Sequence, residues 1–154
     1  MAAINFFSKE QKNQITEAIK EAETNTSGEI RVHLEDHCKV DVLDRAAYLF
    51  KTLKMHKTEL RNGVLFYLAV KDRKFAILGD AGINAVIPEG FWDEIKEKMR
   101  GLFQEGKFTE GLATGVKMAG KALQDHFPYQ KDDINELSDE ISFGSNLKND
   151  KKDE

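Results

Sequence analysis

The sequence lacks several features that whole classes of protein depend on. It has one cysteine in 154 residues, so no internal disulfide framework can form. No apolar run approaches the ~18 residues that a helix needs to span a bilayer, so we expect no membrane span. The first residues, MAAINFFSKEQK, lack the basic stretch and the apolar core of a secretion signal. We therefore expect a soluble protein of the cytoplasm.

The chain also lacks an excess of basic residues. It has 23 Lys and Arg against 27 Asp and Glu, and residues 128–154, with eight acidic and four basic side chains, account for the whole net charge of −4. A neutral body argues against binding to nucleic acid. We interpret residues 1–127 as one folded domain. Residues 128–154 are interpreted as an acidic, largely disordered tail, in which Ile134, Leu137 and Ile141 are spaced for one short helical face.

Familiar catalytic signatures are incomplete in this sequence. Residues 101–108 fit a P-loop except at Phe108, which stands where Ser or Thr would bind magnesium. A cysteine phosphatase would need an arginine six residues after Cys38, and that position is Asp44. The cysteine is therefore interpreted as an incidental thiol. The four histidines show no zinc-ligand spacing. We expect all four to face solvent: His33, His37, His56 and His126.

Hydrophobic periodicity predicts the first half of the fold. An apolar face at helical spacing predicts a helix over residues 8–24, with Ser8 and Gln11 as a capping box. Alternation over residues 29–35 predicts a strand with one covered face, near the edge of a sheet. Residues 42–54 should form a second helix, capped by Asp41. Its inward face is predicted to be Leu43, Ala46, Ala47, Phe50 and Leu53.

The second half contains the centre of the predicted sheet. An almost continuous apolar run over residues 64–70 predicts a central strand that is buried on both faces. The next four residues are too few for a crossover, so residues 75–78 must return antiparallel. A third helix should start at Pro88 and a fourth should be capped by Thr109, with Gly111 and Gly115 allowing close packing.

These elements predict an α/β fold. The first two strands are joined through a helix, so they should be parallel with a right-handed crossover. The expected architecture is a three-layer α/β sandwich of about four helices around a mixed sheet of three to five strands, in which a parallel pair is extended by a hairpin.

Three carboxylates are candidates for a metal site. Ligands of open α/β sheets gather at the carboxyl ends of parallel strands. Asp36 follows the first strand, Asp44 lies at the start of the next helix and Asp72 follows the second strand. Carboxylates that converge repel each other, and a hard cation such as Ca²⁺ or Mg²⁺ would relieve that repulsion. In the structural alternative, Asp44 only stabilises a helix start and Asp72 only shapes a turn.

A second candidate site lies at the opposite end of the strands. Glu29 and Asp80 could bind a cation there. Small residues in the neighbouring turns would let a ligand approach backbone N–H groups. They are Gly28, Asn62, Gly63, Gly79 and Gly82. In the alternative interpretation they are ordinary turn residues.

Several short motifs occur in a characteristic order. They are Ser27-Gly28-Glu29-Ile30, Asn62-Gly63-Val64-Leu65, Asp72-Arg73, Gly79-Asp80-Ala81-Gly82 and the segment FQEGKFTEG at residues 103–111. Over about residues 8–127 the chain therefore resembles the TPM domain family, named for thylakoid lumen, photosystem II repair and worm receptor-associated proteins. The resemblance implies an α/β sandwich, divalent-cation binding, calcium especially, and acid phosphatase activity in some plant members. The usual Gly-Tyr-Gly exit of the family is replaced here, so Asp80 adds a carboxylate.

Two functional hypotheses follow. In the first, the domain binds a divalent cation through Asp36, Asp44 and Asp72 and has weak phosphomonoester hydrolysis, with the cation orienting phosphate oxygens and activating water. No nucleophile is evident, so no covalent phospho-enzyme is expected. In the alternative, the domain is a non-catalytic module that binds a protein or membrane-complex partner, with the acidic tail as an interaction segment.

Overall fold

A computed structural model describes residues 3–129 and 141–144 of the chain. The helices are α1 (Ala3–Phe6), α2 (Lys9–Glu23), α3 (Val42–Thr52), α4 (Ala81–Asn84), α5 (Phe91–Gln104) and α6 (Phe108–His126), with a 3-10 turn at Met55–Lys57. The strands are β1 (Glu29–Glu35), β2 (Gly63–Ala69), β3 (Lys74–Gly79) and β4 (Ser142–Phe143). Among the described residues, no helix has both the length and the apolar character to cross a membrane.

The strands form one mixed sheet in the order β3-β2-β1-β4. β1 runs parallel to β2 over its whole length, and β3 returns antiparallel along β2. Helices α2, α5 and α6 cover one face of the sheet and form the main core. Helix α3 and the 3-10 turn cover the other face and form a second, smaller core. The predicted three-layer α/β sandwich, its parallel pair and its hairpin are therefore confirmed.

The two parallel strands differ in how well they were predicted. All seven residues of β2 are buried, as expected for a central strand. β1 lies near the edge of the sheet, as predicted, with only the two residues of β4 beyond it. The prediction that only one face of β1 is covered was wrong. β4 pairs with its outer side, and His33 and Glu35 on its polar face are buried. The alternation was real, but the polar face of β1 is covered by other polar side chains and not by water.

Helix α2 matches the expected capping chemistry. The Ser8 hydroxyl accepts from the Gln11 N–H at 3.1 Å, and the Gln11 side chain accepts from the Ser8 N–H at 2.8 Å. In α3, Asp41 caps the helix as predicted. Its inward face was partly wrong, because Leu49 is buried while Leu43 is 49% exposed. The helix is rotated so that Leu43 and Asp44 of its first turn face solvent.

The last two helices pack closely through glycine. A Cβ at Gly111 would lie 2.4 Å from the ring of Phe103, and one at Gly115 would lie 2.5 Å from the Met99 sulfur, so the predicted close packing is confirmed. The predicted starts were less accurate. Lys107 replaces Thr109 as the residue before α6, and α5 begins after Gly90, whose φ of 83° precludes helix from Pro88 onward.

Part of the predicted tail lies against the domain. Ser142 and Phe143 pair in parallel with His33 and Leu34 of β1. The side chain of Phe143 is 8% exposed and joins the main core. The remainder of the predicted tail, including the proposed helical positions 134 and 137, lies outside the described residues.

Candidate functional site

The carboxyl ends of β1 and β2 remain paired beyond the strands themselves. The Val70 N–H donates to the Glu35 carbonyl at 2.8 Å, and the Lys71 N–H donates to the Asp36 carbonyl at 2.9 Å. This pairing places Asp36 beside the residue that precedes Asp72. We call the surface formed by residues 36–44 and 71–74 the carboxyl-end pole. Two of the three predicted carboxylates, Asp36 and Asp72, are thus brought to neighbouring positions.

Asp72 joins the hairpin turn to the loop after β1. One carboxylate oxygen is 2.8 Å from Nδ1 of His37, and the other accepts from the Cys38 N–H at 2.8 Å. The hydrogen bond with His37, followed by that from the Cys38 N–H, lowers the pKa of Asp72 below its ordinary value. Asp72 is therefore ionised at neutral pH and holds the hairpin turn to the loop after β1, whereas the structural alternative expected it only to shape a turn. His37 is exposed, as expected.

Asp44 lies in the first turn of α3 and is exposed. Its backbone N–H donates to the carboxylate of Asp41 at 3.2 Å, so its position follows from the cap of the helix. Within residues 3–129 and 141–144, no group of three or more His, Cys, Asp and Glu side chains is arranged to hold a metal ion. The predicted carboxylates share one pole but do not form a preassembled cluster.

Basic side chains surround these carboxylates. Lys71 and Arg73 are exposed in the hairpin turn, where Arg73 adopts a left-handed φ of 54°. The Lys74 ammonium donates to the Cys38 carbonyl at 3.4 Å, and Lys39 is exposed in the facing loop. The pole is therefore of mixed charge, with oxygen ligands next to groups that attract anions.

At the opposite end of the strands, Asp80 is engaged by its own neighbours. Its two oxygens accept from Nε and Nη2 of Arg61, both at 2.7 Å, and one also accepts from the Ala81 N–H at 2.7 Å. The hydrogen bond to Asp80, together with its charge, raises the pKa of Arg61. Asp80 thus forms an ion pair and caps α4. Glu29, the other candidate here, is buried at 2% exposure.

The small residues at this end of the strands pack directly against other residues of the domain. A Cβ at Gly82 would lie 2.1 Å from the Leu60 carbonyl oxygen, and one at Gly28 would lie 2.6 Å from the Leu123 side chain. The remaining residues predicted to let a ligand approach are close to other groups as well. They are Asn62, which is buried, and Gly63 and Gly79, which approach Met55 and Trp92.

The sequence patterns did not predict a buried polar cluster, which consists of His33, Glu35, Arg45, Tyr67 and Ser142. Arg45 donates from Nε to Glu35 Oε1 at 2.9 Å and from Nη2 to Oε2 at 2.5 Å. The Tyr67 hydroxyl lies 2.7 Å from Glu35 Oε1. Nε2 of His33 is 3.4 Å from Glu35 Oε2, and its Nδ1 is 2.7 Å from the Ser142 hydroxyl. This polar cluster connects β1, β2, α3 and β4.

The polar cluster shifts the titration of its acids in opposite directions. Burial raises the pKa of Glu35, but hydrogen bonds with His33, Arg45 and Tyr67 and the charge of His33 outweigh it and lower the pKa from 4.5 to about 2. Burial, followed by the hydrogen bond to Glu35 and its negative charge, raises the pKa of Tyr67 far above its ordinary value. Glu35 therefore stays ionised and Tyr67 stays protonated at neutral pH.

The expectation that His33 faces solvent was wrong, because its exposure is 0%. One sequence signal could have indicated the polar cluster. Tyr67 stands inside an otherwise apolar central strand, and a buried tyrosine hydroxyl usually needs a hydrogen-bond partner. The neighbouring parallel strand offers His33 and Glu35 on the matching face, since His33 pairs in register with Tyr67.

The sequence matches the family model of the TPM domain over residues 2–122. The chain belongs to the TPM domain family. Among solved structures, this TPM domain is similar to the NMR structure of the BA42 protein from the psychrophilic bacterium Bizionia argentinensis. The two are 50% identical with a TM-score of 0.84, over 90% of this chain and 96% of that chain.

Two more distant solution structures share the fold of this TPM domain. One is the N-terminal domain of a protein from P. gingivalis, with 19% identity and a TM-score of 0.67 over 80% of this chain and 82% of that chain. The other is the N-terminal domain of the cg2496 protein from Corynebacterium glutamicum, with 13% identity and a TM-score of 0.62 over 77% and 75%. No curated protein matches the sequence.

Proposed function

We propose that this TPM domain binds a divalent cation, calcium or magnesium, at the carboxyl-end pole. The observation that supports the proposal is the pairing of Asp36 with the hairpin turn, which holds the loops of Asp36 and Asp72 side by side. Asp44 would join these two carboxylates from the first turn of α3. Carboxylate oxygens are the ligands that both cations prefer.

The donor atoms suit a weakly held, partly hydrated ion. Both oxygens of Asp72 already accept a hydrogen bond, but a carboxylate oxygen can accept more than one partner. Because the described residues contain no preassembled ligand group, the loops must adjust when an ion binds. We therefore expect affinity in the millimolar range, with water completing the coordination shell.

The same pole could bind a phosphate ester. Lys71, Arg73 and Lys74 lie beside the carboxylates and would bind phosphate oxygens. A bound cation would supply charge neutralisation and an activated water, as in metal-assisted phosphatases. His37 holds Asp72 through Nδ1, which leaves Nε2 to accept or donate a proton near the ester. The proposed reaction is a weak, acid-phosphatase-type hydrolysis without a covalent intermediate.

A calcium titration followed by backbone amide shifts tests the cation site. Shifts should cluster at residues 36–44 and 71–73, and Asp72→Asn should weaken them. Asp93→Asn, which changes an exposed carboxylate in the first turn of α5, should titrate like the wild type. Shifts centred on residues 29 and 80 would move the site to the other end of the strands. An absence of shifts at millimolar calcium would refute cation binding.

Phosphate release from a generic aryl phosphate tests hydrolysis separately. We expect metal-dependent release between acidic and neutral pH, reduced in both Asp72→Asn and His37→Gln. If calcium binds but no phosphate is released at any pH, the domain binds the ion without catalysis.

A non-catalytic module that binds a protein partner is a second candidate. The supporting observation is that three apolar side chains on the loop before α3 and on α3 itself are exposed: Val40 at 56% and Leu43 at 49%, both within the carboxyl-end pole, and Tyr48 at 38%. Exposed apolar side chains that form a continuous patch often mark interaction surfaces. Leu43→Ser should leave stability unchanged and abolish binding of a partner purified with the wild type. Retained binding in this variant would exclude the α3 surface.

A further inference from the structure

Within the part of the chain that the structure describes, the outer edge of β1, on the side away from β2, is paired with a strand over only part of its length. β1 pairs with β2 through all seven residues but with β4 only at His33 and Leu34. Elsewhere along this edge, side chains bond the backbone. The Glu23 carboxylate accepts from the Ile30 N–H at 2.8 Å, and the Ser142 hydroxyl donates to the Val32 carbonyl at 3.3 Å. Backbone groups on a sheet edge can pair with any extended segment that replaces such contacts.

Ser142, the first residue of β4, is recognised by the edge of β1 through its hydroxyl group. Its oxygen lies 2.7 Å from Nδ1 of His33 as well as 3.3 Å from the Val32 carbonyl, and the residue is 3% exposed. A hydroxyl group can donate one hydrogen bond and accept another, so it satisfies both neighbours. An apolar residue here would leave both buried groups without that partner, at a cost that favours Ser or Thr.

The next two residues are recognised by shape. Phe143 enters the main core beside Leu34, and the ammonium of Lys12 lies 5.3 Å from the centre of its ring. A Cβ at Gly144 would lie 3.3 Å from Cγ of Glu35, which Arg45 holds in place. The edge therefore selects a hydroxyl residue, then an aromatic residue, then glycine.

We propose that the outer edge of β1 is a peptide-binding site for an extended segment with this hydroxyl, aromatic and glycine order. The chain's own residues 142–144 occupy the site intramolecularly, and a segment of the same chemistry from another polypeptide replaces them by parallel strand addition. In this mode, main-chain hydrogen bonds supply affinity and alternate side-chain pockets supply specificity. The site is separate from the cation site proposed above, because its contacts come from β1, including Glu35, and from Lys12.

The intramolecular segment competes with any external peptide. A tethered segment has an effective concentration of about millimolar. It therefore masks the edge from an external peptide of the same intrinsic affinity that is present at a lower concentration. Releasing the segment should therefore raise the apparent affinity for an external peptide by at least about tenfold. The test is made on the full chain, with the double variant Ser142→Asp/Phe143→Asp to release the segment. Both substitutions place a carboxylate in a buried position, and Ser142→Asp places it against the Val32 carbonyl, which a carboxylate cannot satisfy as a donor.

The probe is a fluorescein-labelled peptide with the sequence of residues 139–146, DEISFGSN. Titration with the double variant should saturate the anisotropy of the peptide. The apparent affinity of the peptide for the wild type should be at least about tenfold lower. Tyr129→Asp, which changes an exposed aromatic residue outside the edge, should behave like the wild type. Peptides with Ala in place of the Ser or the Phe should lose binding. Amide shifts in the double variant should centre on residues 30–34 and should not depend on calcium.

Three outcomes would overturn the proposal. The first is a folded double variant, with its segment released, that does not bind the peptide. The second is a double variant that unfolds, and the third is one whose segment stays docked. Either of the last two would show that residues 142–144 are a fixed part of the core and not an exchangeable ligand.

Discussion

Arg45 and Glu35 form a bidentate ion pair, with Nε of Arg45 2.9 Å from Oε1 of Glu35 and Nη2 2.5 Å from Oε2. The arginine comes from the first turn of α3 and the glutamate ends β1. Their side chains are only 17% and 9% exposed. The pair therefore fixes α3 to the strand that leads into the carboxyl-end pole. Each of the two charges is compensated by the other.

Replacing Glu35 by Gln should destabilise the domain by about 3 kcal/mol, because it leaves the Arg45 charge largely buried without its counter-ion. Urea unfolding monitored by circular dichroism measures the change. Glu97→Gln is the matched control, since Glu97 pairs with Arg100 on the exposed face of α5 and should matter little. Equal effects of the two substitutions would show that the buried pair contributes no more than a surface pair.

The lowered pKa of Glu35 predicts a specific loss of stability in acid. The pKa is about 2 in the folded protein and 4.5 ordinarily, so the folded state favours the ionised form. The resulting stabilisation is complete above about pH 5 and is lost as the pH falls from 4.5 through 2. Its size is about 3 kcal/mol. Unfolding free energies between pH 7 and pH 2 should fall less steeply in Glu35→Gln than in the wild type. Parallel curves would contradict this assignment.

Tyr67 should resist deprotonation while the protein remains folded. The chain has three tyrosines, of which Tyr48 and Tyr129 are exposed. An alkaline titration followed by ultraviolet absorbance should therefore show that the Tyr67 phenol ionises only when the domain unfolds, because burial and Glu35 raise its pKa. Tyr67→Phe should remove the absorbance step that accompanies unfolding. Ionisation of all three phenols together in folded protein would be inconsistent with the buried Tyr67–Glu35 hydrogen bond.

Two glycine-to-alanine substitutions should change stability in opposite directions. At Gly82 a Cβ would lie 2.1 Å from the Leu60 carbonyl oxygen and 2.6 Å from that of Arg61, so backbone must move. We expect Gly82→Ala to cost about 3 kcal/mol or more. Gly101 lies inside α5, and a Cβ there would have nothing within 4 Å, so Gly101→Ala should stabilise by about 0.5–1 kcal/mol. Thermal melts of both variants provide the comparison.

The layers of the fold could be predicted because local pattern and burial agree. β2 is apolar on both faces and lies centrally, and the capping box of Ser8 marks the start of α2 as expected. The hairpin followed from the short turn before β3. In each case the decisive information lies within a few neighbouring residues.

The candidate sites could not be predicted to the same extent, because they depend on contacts between distant segments. The alternation of β1 assigns His33 to a solvent face, and only the pairing with β4, over a hundred residues later, shows that it is buried. Asp80 was a candidate ligand on its own, but the structure pairs it with Arg61. The periodicity of a sequence shows which polar side chains lie together on one face of a strand or helix. It does not show which partner from another element will satisfy it.

The unequal cores on the two faces of the sheet have a consequence for motion. Three long helices pack over one face, whereas one helix of eleven residues, α3, covers most of the other. Elements with fewer buried contacts open at lower free energy than the rest of a domain. Hydrogen exchange should therefore be fastest in α3 and the loops at either end of it. The carboxyl-end pole would then be able to rearrange around a ligand while the three-helix side of the molecule stays closed.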